Sequence, residues 1–329
     1  MLLVYYMLII NLAAFILYGI DKRKAYKGKN RISERTLIAV MVLGGVFGAV
    51  LAMLVFRHKT RKKKFQMIGA ISGILYIIFI CFCLYQNYHI VVTEYDIETR
   101  KQENELDGYT IVHISDLHNQ FFGIRQERLI QRIRECEPDI ICVTGDALDV
   151  AHTNYSLAEI FFKEAVEIAP VFYITGNHEE WLKGDRFTAF EHKIASYGVY
   201  LMDDTMINPG SISLYGISDG NLSSSTKLPS EISDSEAYSI LLAHEPTYFE
   251  RYSELGVDLV LTGHNHGGQI RLPGKEGLLS ADFEFFPEYD AGIFESEQTT
   301  MVVSRGLGNS VLPVRINNYP EIVKIVINP

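Results

Sequence analysis

Eight side chains of this chain have types and spacing suited to metal-assisted phosphoryl chemistry: Asp116, His118, Asp146, Asn177, His178, His244, His264 and His266. They fall in five short words: ISDLH (114–118), VTGD (143–146), TGNHE (175–179), LAHEP (242–246) and TGHNH (262–266). Two divalent cations held ~3.5–4 Å apart can clamp a phosphoryl group and lower the pKa of water toward neutrality. Such a pair needs a carboxylate able to bridge, further hard oxygen ligands and neutral imidazoles. Seven of these residues supply that inventory. His178 is left over, beside Asn177, and suits a general acid for the leaving-group oxygen.

These residues must be delivered by something rigid, and each word closes an apolar run. The runs IVHI, IICV, VFYI, SILL and DLVL read as short buried strands. Gly145, Gly176 and Gly263 are expected to let the backbone turn sharply where a ligand must project. An opening strand is expected over 90–97 and helices over 125–136, 155–169 and 187–197, with Leu129 and Ile130 meeting Ile133 at helical spacing. Near-continuous apolar strands alternating with helices argue for a layered α/β domain with buried sheets. In such folds ligands collect beyond the carboxyl ends of strands. A Gly-Asp pair alone carries almost no information; its recurrence in order with the other four words does.

Charge divides the chain of 329 residues. Residues 1–90 carry 13 Lys and Arg against Asp21 and Glu34, a formal net of +11, whereas the remainder carries −21. An acidic domain does not gather polyanions, so no nucleic-acid partner is expected. Glu231–Glu236 and Glu295–Glu297 read as solvated acidic faces. Cys81, Cys83, Cys136 and Cys142 lack zinc-type spacing and read as small apolar side chains.

Three apolar runs, 2–20, 37–56 and 67–85, approach the ~20 residues that cross a bilayer as a helix. The first has no basic residue ahead of it and no small-residue cleavage site, so it reads as a retained helix. The boundary is expected at 86/87, with a membrane domain over 1–86 and a second domain over 87–329. Basic loops at 21–35 and 57–64 pose a topological problem. If all three runs cross, one loop lies outside, against the positive-inside rule. If the middle run turns back near Gly44-Gly45, both loops stay in the cytoplasm and the third run crosses outward. Gly44, Gly48 and Ala52, spaced four apart, suit instead a crossing helix packed closely on a neighbour. The charge rule favours an extracytoplasmic second domain. The segment also resembles a small uncharacterised bacterial membrane-domain family, through Asp21-Lys22-Arg23, RISERTL (31–37), Gly44-Gly45 and FRHKT (56–60). His58 reads as a solvated interfacial residue.

The ordered set Asp-x-His, Gly-Asp, Gly-Asn-His-Glu, lone His and Gly-His-x-His resembles the calcineurin-like metallophosphoesterases. HISDLHNQ, GHNHGGQIRLP and SRGLGNSVLPVRINNYPEI are similar to the YkuE-type bacterial branch, itself similar to membrane-associated phosphodiesterases and UDP-2,3-diacylglucosamine pyrophosphatases. The resemblance spans residues 91–329. It implies a four-layer fold, two mixed sheets flanked by helices. It places Asp116, His118 and His266 on one metal and Asn177, His244 and His264 on the other, with Asp146 bridging and His178 catalytic. A donor set without thiolate fits Mn²⁺, Fe or Zn²⁺.

The expected activity is a membrane-anchored two-metal phosphodiesterase or pyrophosphatase acting on a lipid-linked or envelope phosphate ester, by attack of a metal-bridging hydroxide. The alternatives are a phosphomonoesterase or a non-catalytic scaffold. Arg305 is a candidate for substrate phosphate or for a structural ion pair, Asp149 for orienting the site, and Trp181 and Phe187 for an apolar wall or core. His113 reads as a core histidine; His152 and His192 read as solvated helix residues.

Overall fold

The computed structural model describes residues 2–99, 106–219, 237–272, 274, 276–309 and 314–328. It divides into two compact units, Met1–Tyr85 and Gln86–Pro329. The acidic stretch 231–236 and the loop 310–313 lie outside the described residues.

Unit 1 begins with helix α1 (Leu2–Tyr26) and continues into α4 (Lys63–Tyr88). Residues Tyr5–Tyr26, Glu34–Val55 and Lys63–Tyr88 are each long and apolar enough to cross a bilayer. The second of these is not a straight rod. Helix α2 (Glu34–Val40) opens into a widened turn over Met41–Gly45 before α3 (Val46–Val55). Gly44 sits at φ 120°, a conformation that other residues adopt only with strain. The carbonyls freed by this break are recovered by α1: Tyr6 Oη donates to Leu43 O (2.6 Å) and Asn11 Nδ2 donates to Gly44 O (2.9 Å). Asn11 Oδ1 in turn accepts from Gly48 N (2.8 Å).

The two ends of this hairpin meet. Glu34 accepts from Lys59 (2.8 Å) and Lys62. Asp21, fully buried, accepts from His58 Nε2 (2.8 Å), Arg31 (3.0 Å) and the backbone N–H of Ile32 (3.0 Å). His58 is therefore a buried clamp residue, not a solvated one. The helical rise between Asp21 and Asn11 is about 15 Å, roughly half a bilayer core.

The described residues of unit 2 form twelve strands in two sheets. The first sheet takes β1 (Val91–Glu98), β2 (Tyr109–Ile114), β3 (Ile140–Thr144), β4 (Val171–Ile174), β5 (Tyr200–Leu201) and β12 (Glu321–Asn328), in the order β1-β12-β2-β3-β4-β5. The second takes β6 (Thr205–Ile207), β7 (Ile212–Gly216), β8 (Tyr238–Leu242), β9 (Leu259–Thr262), β10 (Gly292–Glu295) and β11 (Thr300–Val303), in the order β10-β11-β9-β8-β7-β6. Both are mixed: β2, β3 and β4 run parallel, as do β7, β8 and β9, while β12–β2 and β6–β7 are antiparallel. Strands β3, β4, β8 and β9 are buried along their whole length, which is why they read as unbroken apolar runs.

Three apolar layers hold the stack. Ile111, Phe172, Ile240 and Val302 fill the space between the sheets. Outside the first sheet pack α5 (Glu127–Glu135), α6 (Tyr155–Ala165) and α8 (Asp185–Ala195), through Ile133, Phe162, Phe190 and neighbours. Outside the second packs α9 (Phe249–Glu254) through Phe249 and Tyr252. This is the layered α/β domain expected from the residues, in the four-layer form that the resemblance implies. Helix α6 ends earlier than the pattern suggests, because the chain turns over 166–169 to enter β4.

Removing one partner of a buried ion cluster leaves uncompensated charge at a cost of about 3–5 kcal/mol. Asp21→Ala should therefore lower the thermal stability of unit 1 sharply in detergent, while Lys27→Ala, at an exposed position, should not. Equal melting temperatures for both variants would contradict the clamp.

Candidate metal centre

The carboxyl ends of β2, β3, β4, β8 and β9 bring the predicted residues to one place. Asp116 and His118 follow β2, Asp146 follows β3, and Asn177 and His178 open α7 (Asn177–Leu182) after β4. His244 follows β8, and His264 and His266 follow β9. Asp116, His118, Asp146, His264 and His266 all hold positive φ, between 43° and 66°. Strain of this kind at non-glycine residues gathers at functional sites.

Two groups of donor atoms form, joined by one carboxylate. In the first, His118 Nε2 and His266 Nε2 lie 3.1 Å apart, with Asp116 Oδ1 3.7 Å from His266. In the second, His244 Nε2 lies 3.1 Å from Asn177 Oδ1 and 3.3 Å from His264 Nδ1. Asp146 Oδ2 stands 3.4 Å from both His118 Nε2 and His244 Nε2. Its carboxyl is held well below the usual carboxylate range: burial pushes it up, but His244 and His118 more than offset that.

These groups fit cations. His244 Nδ1 donates to Thr144 O (2.7 Å), so Nε2 is the atom left to face the oxygen of Asn177. Burial disfavours a charged ring, but Asp146 raises the His244 pKa, so a proton on Nε2 supplies the positive charge that a bound cation would replace. Acceptors facing acceptors in a buried site need positive charge between them. Ligands on ~2.0–2.2 Å bonds stand about 3.0–3.5 Å from one another, close to the spacings within each group. His264 is oriented from outside, its Nε2 lying 3.2 Å from both Glu245 and Asp282 carboxylates. Glu245 and Asp282 were not singled out by the sequence. Glu245 directly follows His244, but nothing near Asp282 marks it.

His178 packs its ring against His118, centroids 4.5 Å apart. Val150 N–H donates to His178 Nδ1 (3.1 Å), and Asp149 Oδ1 lies 3.4 Å from the same atom. A neutral ring accepting at Nδ1 carries its proton on Nε2, and the imidazolium carries one there too. Burial disfavours the charged form, yet Asp149, Asp146 and Glu179 prevail and raise the pKa. Asp149 thus favours the protonated form of the histidine.

Glu179, within the same word, proves central. Its buried carboxylate accepts from the backbone N–H groups of Asp146 (2.8 Å), Leu148 (2.8 Å) and Gly176 (2.9 Å), tying together two ligand loops. Burial and then the Asp146 charge lift its pKa to about 7, against the pull of those amides. Gly145 does adopt positive φ, but Gly176 is extended and Gly263 is demanded by crowding instead: a Cβ there would strike Ser115 and Asp116.

The remaining candidates separate cleanly. Trp181, 65% exposed, borders the cavity over the site, whereas Phe187 is core. Arg305 is bonded to Glu321 (2.6 Å) and Thr93, the structural ion pair that is one of its two readings. His113 is core, bonded to Thr144 Oγ1 (2.7 Å). His152 lies in a loop beside Asp149 (3.0 Å), not in a helix.

The comparisons with known proteins agree with this geometry. The family profile described as calcineurin-like phosphoesterase matches residues 109–268, and one described as a protein of unknown function (DUF1294) matches 11–65. YkuE of Bacillus subtilis, an uncharacterized metallophosphoesterase, is 30% identical over 246 residues, covering 71% of this chain and 84% of its own. The chain belongs to the calcineurin-like metallophosphoesterases. An uncharacterized metallophosphoesterase of Aquifex aeolicus is 30% identical over 255 residues, 74% of this chain and 93% of that one. Phosphodiesterase YaeI of Escherichia coli is 26% identical over 225 residues, 66% and 81% of the two chains. This metallophosphoesterase is accordingly a metal-dependent hydrolase of phosphoric esters, and its family uses a dinuclear divalent metal site.

Each buried amide left facing the wrong group costs about 1–3 kcal/mol. Glu179→Gln places an NH₂ against N–H donors, so the melting temperature should fall by at least about 2–4 °C, with Glu180→Gln as the outer control. An unchanged melting temperature in Glu179→Gln would contradict its role as a loop tie.

Proposed function

We propose that this metallophosphoesterase is a membrane-anchored phosphodiesterase or pyrophosphatase acting on a lipid-linked or envelope phosphate ester. The observation that carries the reading is the pair of acceptor clusters sharing Asp146 Oδ2. In this reading Asp116, His118 and His266 hold one cation, Asn177, His244 and His264 the other, and Asp146 both. Mn²⁺, Fe or Zn²⁺ suits donors without thiolate. Bound there, the cations supply Lewis acidity toward phosphoryl oxygens and a water of lowered pKa.

The chain's own side chains supply the remainder. His178 gives its Nε2 proton to the departing oxygen, and Asp149, 3.4 Å from Nδ1, favours the protonated ring. Trp181, Val150 and Phe283 line the cavity of about 410 Å³ together with Asp146, His178 and His266. An apolar wall beside a phosphate site suits a diester with one apolar arm. The name of the Escherichia coli relative supports the diesterase side of this reading.

Bis(p-nitrophenyl) phosphate and p-nitrophenyl phosphate distinguish the options. The full-length protein should cleave the diester with Mn²⁺ and stop with chelator. His178→Ala should lower kcat by about 10²–10⁴-fold, the usual scale of general acid catalysis. Asp149→Asn, losing an orienting partner, should lose about 10–100-fold. Preference for the monoester would convert the reading to a phosphomonoesterase, and full activity in His178→Ala would remove the histidine from the mechanism.

The placement of the catalytic unit outside the cytoplasm is supported by the hairpin in unit 1. Both basic loops are joined through Asp21 and Glu34, so they share one side. The positive-inside rule makes that side cytoplasmic. Helix α1 then enters, the middle segment returns, and α4 leaves. Protease added to intact cells should digest residues 86–329, and a cysteine replacing Thr60 should label only after permeabilisation. A catalytic unit protected in intact cells would contradict this topology.

A further inference from the structure

Beside the hairpin, α3 and α4 leave an apolar trough of about 670 Å³, within the ~300–1,000 Å³ range of ligand sites. We propose that it binds an anionic glycerophospholipid, acyl chain in the trough and phosphate at the basic loop. The inference extends beyond the catalytic reading and rests on unit 1 lying in a membrane.

The trough is amphipathic along its length. Val50, Leu54 and Ile77 give it apolar walls, and Gly69 and Gly73 open its floor. At one end are Thr60 and Gln66, already joined by Gln66 Nε2 donating to Thr60 O (2.6 Å). The chain around that end reads Arg61-Lys62-Lys63-Lys64. Glu34 occupies Lys59 and Lys62. Arg61, Lys63 and Lys64 are exposed and have no acidic partner among the described residues. Free cations at the polar end of an apolar channel match a negatively charged headgroup, and basic pockets between membrane helices recognise such lipids.

A second copy of this chain is the rival occupant, since glycines four apart suit helix packing. It would bring an identical basic loop, and residues 1–90 carry a net +11. Like charge at both polar ends disfavours that pairing, whereas anionic lipid neutralises it.

Native mass spectrometry of the full-length protein in mild detergent, titrated with phosphatidylglycerol or phosphatidylcholine, tests the site. The wild type should bind phosphatidylglycerol at least about 10-fold tighter, each elementary charge near a lipid surface being worth a factor of about five. Lys63→Glu with Lys64→Glu should bring the two lipids to near parity. Gly73→Leu should weaken both lipids. A Cβ at Gly73 meets nothing closer than Val46 at 4.0 Å, so the leucine fills the trough without a backbone clash. Retained phosphodiesterase turnover in each variant would report an intact chain, as none of these positions lies at the metal centre. Equal affinity of the wild type for both lipids would overturn the proposal. So would unchanged lipid preference in the charge variant, or a dimer lost in Gly73→Leu with lipid binding intact. A wild type that is soluble without detergent would remove the membrane reading as well, which the other failures would not.

Discussion

Asp146 Oδ2 stands 3.4 Å from two imidazole nitrogens that belong to different sheets, His118 from the first and His244 from the second. Nearly every other feature of unit 2 serves that one atom's position. Strand β3 of the first sheet and β8 of the second carry their loops to the same place. Glu179 pins the amide of Asp146 from beneath, and Asp146 Oδ1 accepts the amide of His178 (2.9 Å). Asp146, its tie Glu179 and the backbone of His178 are thus joined in a single hydrogen-bonded knot.

The knot also accounts for the local strain. Five of the seven proposed ligands hold left-handed backbone, a conformation a side-chain-bearing residue adopts at a cost. Sheet hydrogen bonds and the apolar layers over-determine these loops. Cations held by the two clusters, as proposed, would offset the remaining cost by turning mutual repulsion into shared attraction.

Much of this was legible in the residues, because buried strands write themselves as unbroken apolar runs and each ends in its ligand word. The layered α/β architecture and the clustering of the ligand words follow from that local pattern, and the four-layer arrangement from the family resemblance. What local pattern omits is close approach between distant segments. Gly263 is glycine because Ser115 and Asp116, far earlier in the chain, occupy the space. Glu179 looked like a motif residue until its three amide partners were visible. Arg305 had the charge for a substrate contact, but Glu321, sixteen residues on, claims it. In unit 1 the same limit applies. The apolar run 37–56 has the length of a crossing helix, and its return depends on Asn11 and Asp21 of another helix.

The most direct measurement is the metal stoichiometry of the purified chain by inductively coupled plasma mass spectrometry, for wild type and Asp146→Ala. A carboxylate shared by both clusters predicts about two divalent ions per chain in the wild type, with occupancy of both positions lowered in the variant. Two ions retained in Asp146→Ala, or none in an active wild type, would contradict the account.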